Sequence, residues 1–149
     1  MSGEFVLHEA AAALMRQAVQ AISKDVDGRL REHGLTLVQR RALTLLSERQ
    51  AVTPGDLSFA LDVDAGSTTR LLHRLIAKGM CRRYRGNGDR RQVQLEITVL
   101  GMSALDMTQS IVSGVLVEWF SGVAGNELEI VRRVLSTILS AGRRRLDDV

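Results

Sequence analysis

At Gly79 the apolar residues of this chain change their spacing. Upstream, Leu71, Leu72, Leu75 and Ile76 follow one another at helical intervals. Downstream, Gln92-Val93-Gln94-Leu95-Glu96-Ile97 alternates polar and apolar residues, the period of a half-buried strand, and residues 80–85 read as its partner. Between them Gly86-Asn87-Gly88-Asp89 has tight-turn composition, because glycine and asparagine take positive φ at little cost. A helix therefore runs through a single stop into a β-hairpin, which leaves few arrangements open.

The residues before this helix narrow them further. Thr53-Pro54 is a strong start signal: a hydroxyl caps free amides, and proline has no amide to leave unpaired. A short helix should run to about Leu61. Asp62-Val63-Asp64 then interrupts, and Asp64 caps a helix from Ala65 to about Lys78. Two helices joined by a three-residue turn make a helix-turn-helix, and the hairpin makes it a winged helix. Thr36 caps a further helix over about 37–47, carrying Leu43 and Leu46. Leu7, Ala11, Leu14, Ala18, Ile22, Val26 and Leu30 mark a long first helix that stops at His33-Gly34. Thr98 caps another, carrying Met102, Leu105, Ile111, Val112, Val115, Leu116, Trp119 and Phe120. After a break at 121–125, Asn126 with Glu129 forms a capping-box-like start for the last helix, with Leu128 to Leu146 on it.

The expected fold is mainly α with a small β-hairpin wing, an α+β class. It reads as one folding unit over 1–149, with a winged helix-turn-helix at 35–98. The helices at 5–32 and 99–147 have apolar faces that a winged helix of this size cannot cover. Burial against a second copy is the economical solution, so a homodimer is expected.

Composition excludes several classes of function. The 149 residues include five aromatic side chains and one cysteine, Cys81. The core must be aliphatic, and neither a disulfide framework nor a cysteine-rich zinc site is available. Cys81 beside Met80 reads as a small buried hydrophobe. His8, His33 and His73 lack metal-ligand spacing, so no metal or other cofactor is expected. No glycine-rich phosphate loop, nucleophile triad or paired carboxylate appears, and the chain reads as no enzyme. No secretory signal and no uninterrupted apolar run of spanning length is visible, which points to the cytoplasm and to no membrane partner.

Charge is local. Net charge is +3, yet residues 82–91 alone hold Arg82, Arg83, Arg85, Arg90 and Arg91 against Asp89. Clustering of this kind suits an anionic partner. On the helix from Ala65, the apolar residues and Thr68 share one side and leave Ser67, Thr69, Arg70 and Arg74 on the other. That polar side can enter a DNA major groove, where Arg70 is able to bond a guanine through two N–H groups. Ser67 and Thr69 are short donors for a base edge or a phosphate. Arg143-Arg144-Arg145, followed by Asp147 and Asp148, reads as a solvated helix end.

Residues 35–101 resemble the MarR family: Leu35-Thr36, Gln39 and Leu43, Thr53-Pro54 with Leu57 and Leu61, Val63-Asp64, Thr69-Arg70-Leu71, Leu75, Gly79, Asp89-Arg90-Arg91, Leu95, Thr98 and Gly101. The resemblance implies a triangular homodimer that binds double-stranded DNA at pseudo-palindromic operators, regulates transcription, commonly as a repressor, and is often released by a small-molecule effector. It also implies that Arg91 enters a groove, that Asp89 pairs with it and directs it, and that Arg90 is the variable position between them. The chain departs from the family pattern at Arg40, where an aromatic residue is common, and at Ser58, Gly66 and Thr68. The rival reading is a sequence-tolerant architectural DNA binder. It calls for wedge side chains or a basic surface with no base readout, whereas Ser67, Thr69 and Arg70 offer base readout.

Overall fold

Most helices of the computed structural model, which describes residues 3–85 and 93–147, start where a side chain meets their unpaired amides. The element order is α1 (Gly3–Arg31), α2 (Leu37–Ser47), α3 (Pro54–Leu61), α4 (Ala65–Ala77), β1 (Cys81–Arg85), β2 (Val93–Ile97), α5 (Val99–Phe120) and α6 (Gly125–Asp147). Thr36 caps α2 and exchanges bonds with Gln39, the Gln39 amide donating to Thr36 Oγ1 at 3.2 Å and the Thr36 amide to Gln39 Oε1 at 3.1 Å. Thr53 and Asp56 form the same box at α3, behind Pro54. Asp64 caps α4. These are the caps that the sequence signals.

The start of α6 differs from the sequence expectation. The helix begins at Gly125, and Glu127 reaches back to accept from the Ala124 amide at 2.9 Å. Glu129, expected as the capping partner of Asn126, is instead bound by Arg132. A carboxylate three residues into a helix can reach back whatever the capping residue is, so Glu127 outcompetes Glu129.

The chain forms two compact units, Met1–Val115 and Leu116–Val149. In the first, Leu43 on α2, Leu57 on α3, and Leu72 and Leu75 on α4 are wholly buried, joined by Cys81, Leu95 and Ala104. Each such leucine contributes roughly 1.5–3 kcal/mol through burial. A smaller cluster joins α1 to α5 through Val26, Leu30 and Val115. The hairpin is antiparallel, with Cys81 opposite Ile97 and Arg85 opposite Val93. The Leu95 amide donates to the Val52 carbonyl at 2.8 Å, which ties the hairpin to the start of α3.

At the junction of hairpin and α5, Thr98 Oγ1 donates to the Gly79 carbonyl and accepts from the Gly101 amide. Gly101 permits this close approach: a Cβ would lie 2.2 Å from the Met80 carbonyl oxygen. The 22 residues of α5 are long and apolar enough, by length and composition, to cross a membrane. Asp106 and Glu118 interrupt it, so it holds no uninterrupted apolar run of that length. Gly101, Ala104, Thr108 and Val115 of this helix are buried in the first unit.

Candidate nucleic-acid interface

Helix α4 is two-faced in the way its sequence implies. Thr68, Leu71, Leu72 and Leu75 are buried, while Thr69, Arg70 and Arg74 are exposed and Ser67 is half-buried. The inward leucines fix the rotation of the helix about its axis, and rotation decides which side chains face outward. Among the described residues, the Arg74 guanidinium has no hydrogen-bond or ion-pair partner, and its carbonyl accepts the Lys78 amide at 3.1 Å.

Hydroxyl donors on this helix point back to the start of the helix itself. Ser67 Oγ donates to Asp64 Oδ2 at 2.7 Å, Thr68 Oγ1 to the Asp64 carbonyl at 3.0 Å, and Thr69 Oγ1 to the Ala65 carbonyl at 2.9 Å. A hydroxyl has one proton. Ser67 and Thr69, read from sequence as short donors, therefore present acceptor lone pairs and, at Thr69, a methyl group. Arg70 Nη2 donates to Ser67 Oγ at 3.0 Å. The Ser67 hydroxyl and amide, in that order, hold the Asp64 carboxyl below its usual range, and the Arg70 charge adds to this.

In the hairpin, Arg82 is committed: its Nε and Nη2 donate to Glu96 Oε2 across the strands at 2.8 and 2.6 Å. Arg83 and Arg85 are exposed on the opposite face of β1, the face of Cys81. Cys81 itself is buried, and burial pushes its thiol pKa up. Asp89, Arg90 and Arg91 lie outside the described residues, as do Gly86, Asn87 and Gly88.

A cleft of about 590 Å³ adjoins the outer face of α4, between α1, α2 and α4. Arg31, Arg41, Arg70 and Arg74 line it, with Asp27 the single carboxylate among the described residues. Asp27 accepts from the Leu37 amide at 2.7 Å and from Arg31 Nε at 2.6 Å; the Leu37 bond comes first in lowering its pKa. Asp27, Arg31 and Arg41 were not legible as site residues. The one signal was the pairing of Asp27 and Arg31 four residues apart on α1. Arg40 points elsewhere: its Nε donates to Thr108 Oγ1 at 3.1 Å and its Nη2 to Gln109 Oε1 at 2.7 Å, bridging α2 to α5. Among the described residues no group of histidine, cysteine, aspartate and glutamate is placed to hold a metal ion.

Two helices joined at Asp62-Val63-Asp64, the second presenting a polar face and leading into a hairpin, define a winged helix-turn-helix. Residues 35–93 match the sequence profile of the MarR family. It is 31% identical over 78 residues to the multiple antibiotic resistance protein MarR of Escherichia coli K12, covering 52% of this chain and 54% of that one. It is 34% identical over 84 residues to the HTH-type transcriptional regulator TtmR of Methylorubrum extorquens PA1, covering 56% and 43%. The matched segment thus spans about half the length of the curated relatives. Among solved structures, a mutant E. coli MarR complexed with operator DNA superposes with a TM-score of 0.79 at 24% identity, covering 93% of this chain and 99% of that one. An S. aureus MepR–DNA complex superposes with a TM-score of 0.74 at 23% identity, covering 87% and 96%.

Proposed function

We propose that this chain is a sequence-specific DNA-binding transcriptional regulator, a repressor acting in the cytoplasm, which binds a pseudo-palindromic operator as a homodimer and does no catalysis. The observation that carries the reading is helix α4: its apolar side is locked into the core, and its outer side offers Ser67, Thr69, Arg70 and Arg74. Arg85, Arg90 and Arg91 of the wing add phosphate and minor-groove contacts, with Asp89 directing Arg91. The operator DNA of the MarR complex and the DNA of the MepR complex support the choice of partner.

The dimer rests on apolar surface that the single chain leaves in water. On α1, Phe5, Leu7 and Leu14 are more than half exposed, and on α6 Ile130, Val134, Ile138 and Leu139 are exposed along one side. The cleft beside α4, rich in arginine, suits a small anionic effector whose binding would compete with the DNA-facing pose of Arg70 and Arg74.

Selection of bound duplexes from a random pool tests the function. Two related half-sites about 34–36 Å apart are expected for a two-fold dimer. A specificity ratio near one against random duplex would favour the architectural reading, and a single half-site footprint would contradict the dimer. Sedimentation at micromolar concentration checks the dimer separately, and repeating the selection with metabolite anions checks the effector.

A further inference from the structure

Arg70 folds back over the first turn of its own helix. Its Nη2 bonds Ser67 Oγ at 3.0 Å, the Ser67 hydroxyl bonds Asp64 Oδ2 at 2.7 Å, and the Ser67 amide bonds Asp64 Oδ1 at 2.8 Å. Gly66 supplies the room: a Cβ there would lie 3.1 Å from Asp64 Oδ1 and 3.8 Å from Arg70 Nη1. The carboxylate and the guanidinium thus flank the space that any larger residue at 66 would fill.

We propose that Asp64 and Ser67 are positioning residues for Arg70, and through it determinants of the base sequence that this protein prefers. The inference rests on the DNA-binding function proposed above. A free arginine samples many rotamers, and the entropy lost when one is selected weakens a base contact. Here the selection is made before DNA arrives. Asp64 takes the Ser67 proton, so the Ser67 oxygen turns a lone pair toward Arg70. One of the five guanidinium N–H groups is used, and the others remain for a base edge. Asp64 cannot be retained for affinity, because a carboxylate at a DNA-facing surface repels phosphate. Its presence is explained if it serves discrimination at the expense of non-specific binding.

Two variants separate this role from helix capping. Ser67→Ala removes the hydroxyl bridge and leaves the Asp64 cap, which uses the residue-67 amide. Asp64→Asn keeps a side chain that caps as well as aspartate. Its NH2 group cannot accept the Ser67 proton and would instead donate to Ser67 Oγ, in competition with Arg70. The probe is the operator obtained by duplex selection, with every single base-pair variant of one half-site and a random duplex of equal length.

Ser67→Ala is expected to lose about fivefold or more of the preference at one base pair per half-site, the lower end of what one bidentate arginine contact supplies. Asp64→Asn should lose preference at the same base pair while binding random duplex more tightly. Ser67→Thr should restore most of the preference, and Ser67→Ala should have no further effect in an Arg70→Ala background. Full base preference in both variants, a loss spread evenly over all positions, or an undiminished Ser67→Ala effect without Arg70 would overturn the positioning role. A wild-type protein with no base preference would remove the function beneath it as well, and that result is read before any variant is made.

Discussion

Replacing Gly101 by alanine puts one methyl group into the contact that seats α5 on the hairpin. The added Cβ would lie 2.2 Å from the Met80 carbonyl oxygen and 2.7 Å from Ile97 Cγ1. Ordinary carbon–oxygen contact is more than 3 Å, so one backbone must retreat by about 1 Å. The Met80 carbonyl cannot do so cheaply, because it accepts the Thr98 amide at 3.1 Å. Overpacking of this kind costs about 1–3 kcal/mol, and the upper end applies when backbone is the obstacle. Alanine returns up to about 1 kcal/mol of helix propensity. The net is a loss of about 2 kcal/mol, which lowers the Tm of a chain this size by roughly 4–8 °C. Gly28, exposed on α1 with nothing within 4 Å of its Cβ position, is the control: Gly28→Ala gains propensity with no clash. Thermal unfolding followed by circular dichroism, at matched protein concentration, reads both. A Gly101→Ala protein as stable as Gly28→Ala would show that the α5–hairpin contact is not the constraint described.

Other perturbations have signs fixed by the structure or the sequence. The Val52 amide first, then Thr53, holds the Asp56 carboxyl below its usual value of 3.8, so its stabilisation is complete above that value and is lost as pH falls through the depressed one. Asp56→Asn should cost about 1 kcal/mol at neutral pH and flatten the acid limb of a stability–pH curve; an unchanged acid limb would refute the assignment. Arg91→Ala should weaken operator and random duplex alike in filter binding or anisotropy, with A·T-rich minor grooves affected most. Asp89→Ala should weaken operator binding despite removing a negative charge, and tighter operator binding would show that Asp89 does not direct Arg91.

How far the sequence could be read follows from the range of each interaction. Thr36, Thr53, Asp64 and Gly79 act within four residues, and each marks its element where the structure has it. The start of α6 was missed because two carboxylates, Glu127 and Glu129, lay within reach of plausible caps, and the choice depended on Arg132 taking Glu129. The outer face of α4 was legible from the spacing of its leucines. The direction of its hydroxyl protons was not, since that depends on carbonyls and a carboxylate one turn back. The cleft residues Asp27, Arg31 and Arg41 come from two other helices, and no local pattern brings them to α4. Gly66, which reads as a poor helix former, acquires a reason once Asp64 and Arg70 are seen on either side of it.

The arginines of the hairpin are not equivalent, and this can be measured. Arg82 spends Nε and Nη2 on Glu96 Oε2, in a pair whose side chains are 68% and 48% exposed. An exposed pair contributes no more than about 1 kcal/mol to stability, but it cancels the charge that Arg82 would otherwise bring to a phosphate. Arg85, at the end of β1 and opposite Val93, has no such partner in its register position. Each phosphate neutralised contributes about −0.9 to the slope of log K against log salt. Arg85→Ala should therefore flatten the slope by about that amount, whereas Arg82→Ala should leave it nearly unchanged. Glu96→Gln releases Arg82 and should steepen it. Titrations at several salt concentrations against one duplex decide the matter. If Arg82→Ala flattens the slope as much as Arg85→Ala does, the cross-strand pair opens on DNA and the hairpin delivers all of its arginines to phosphate.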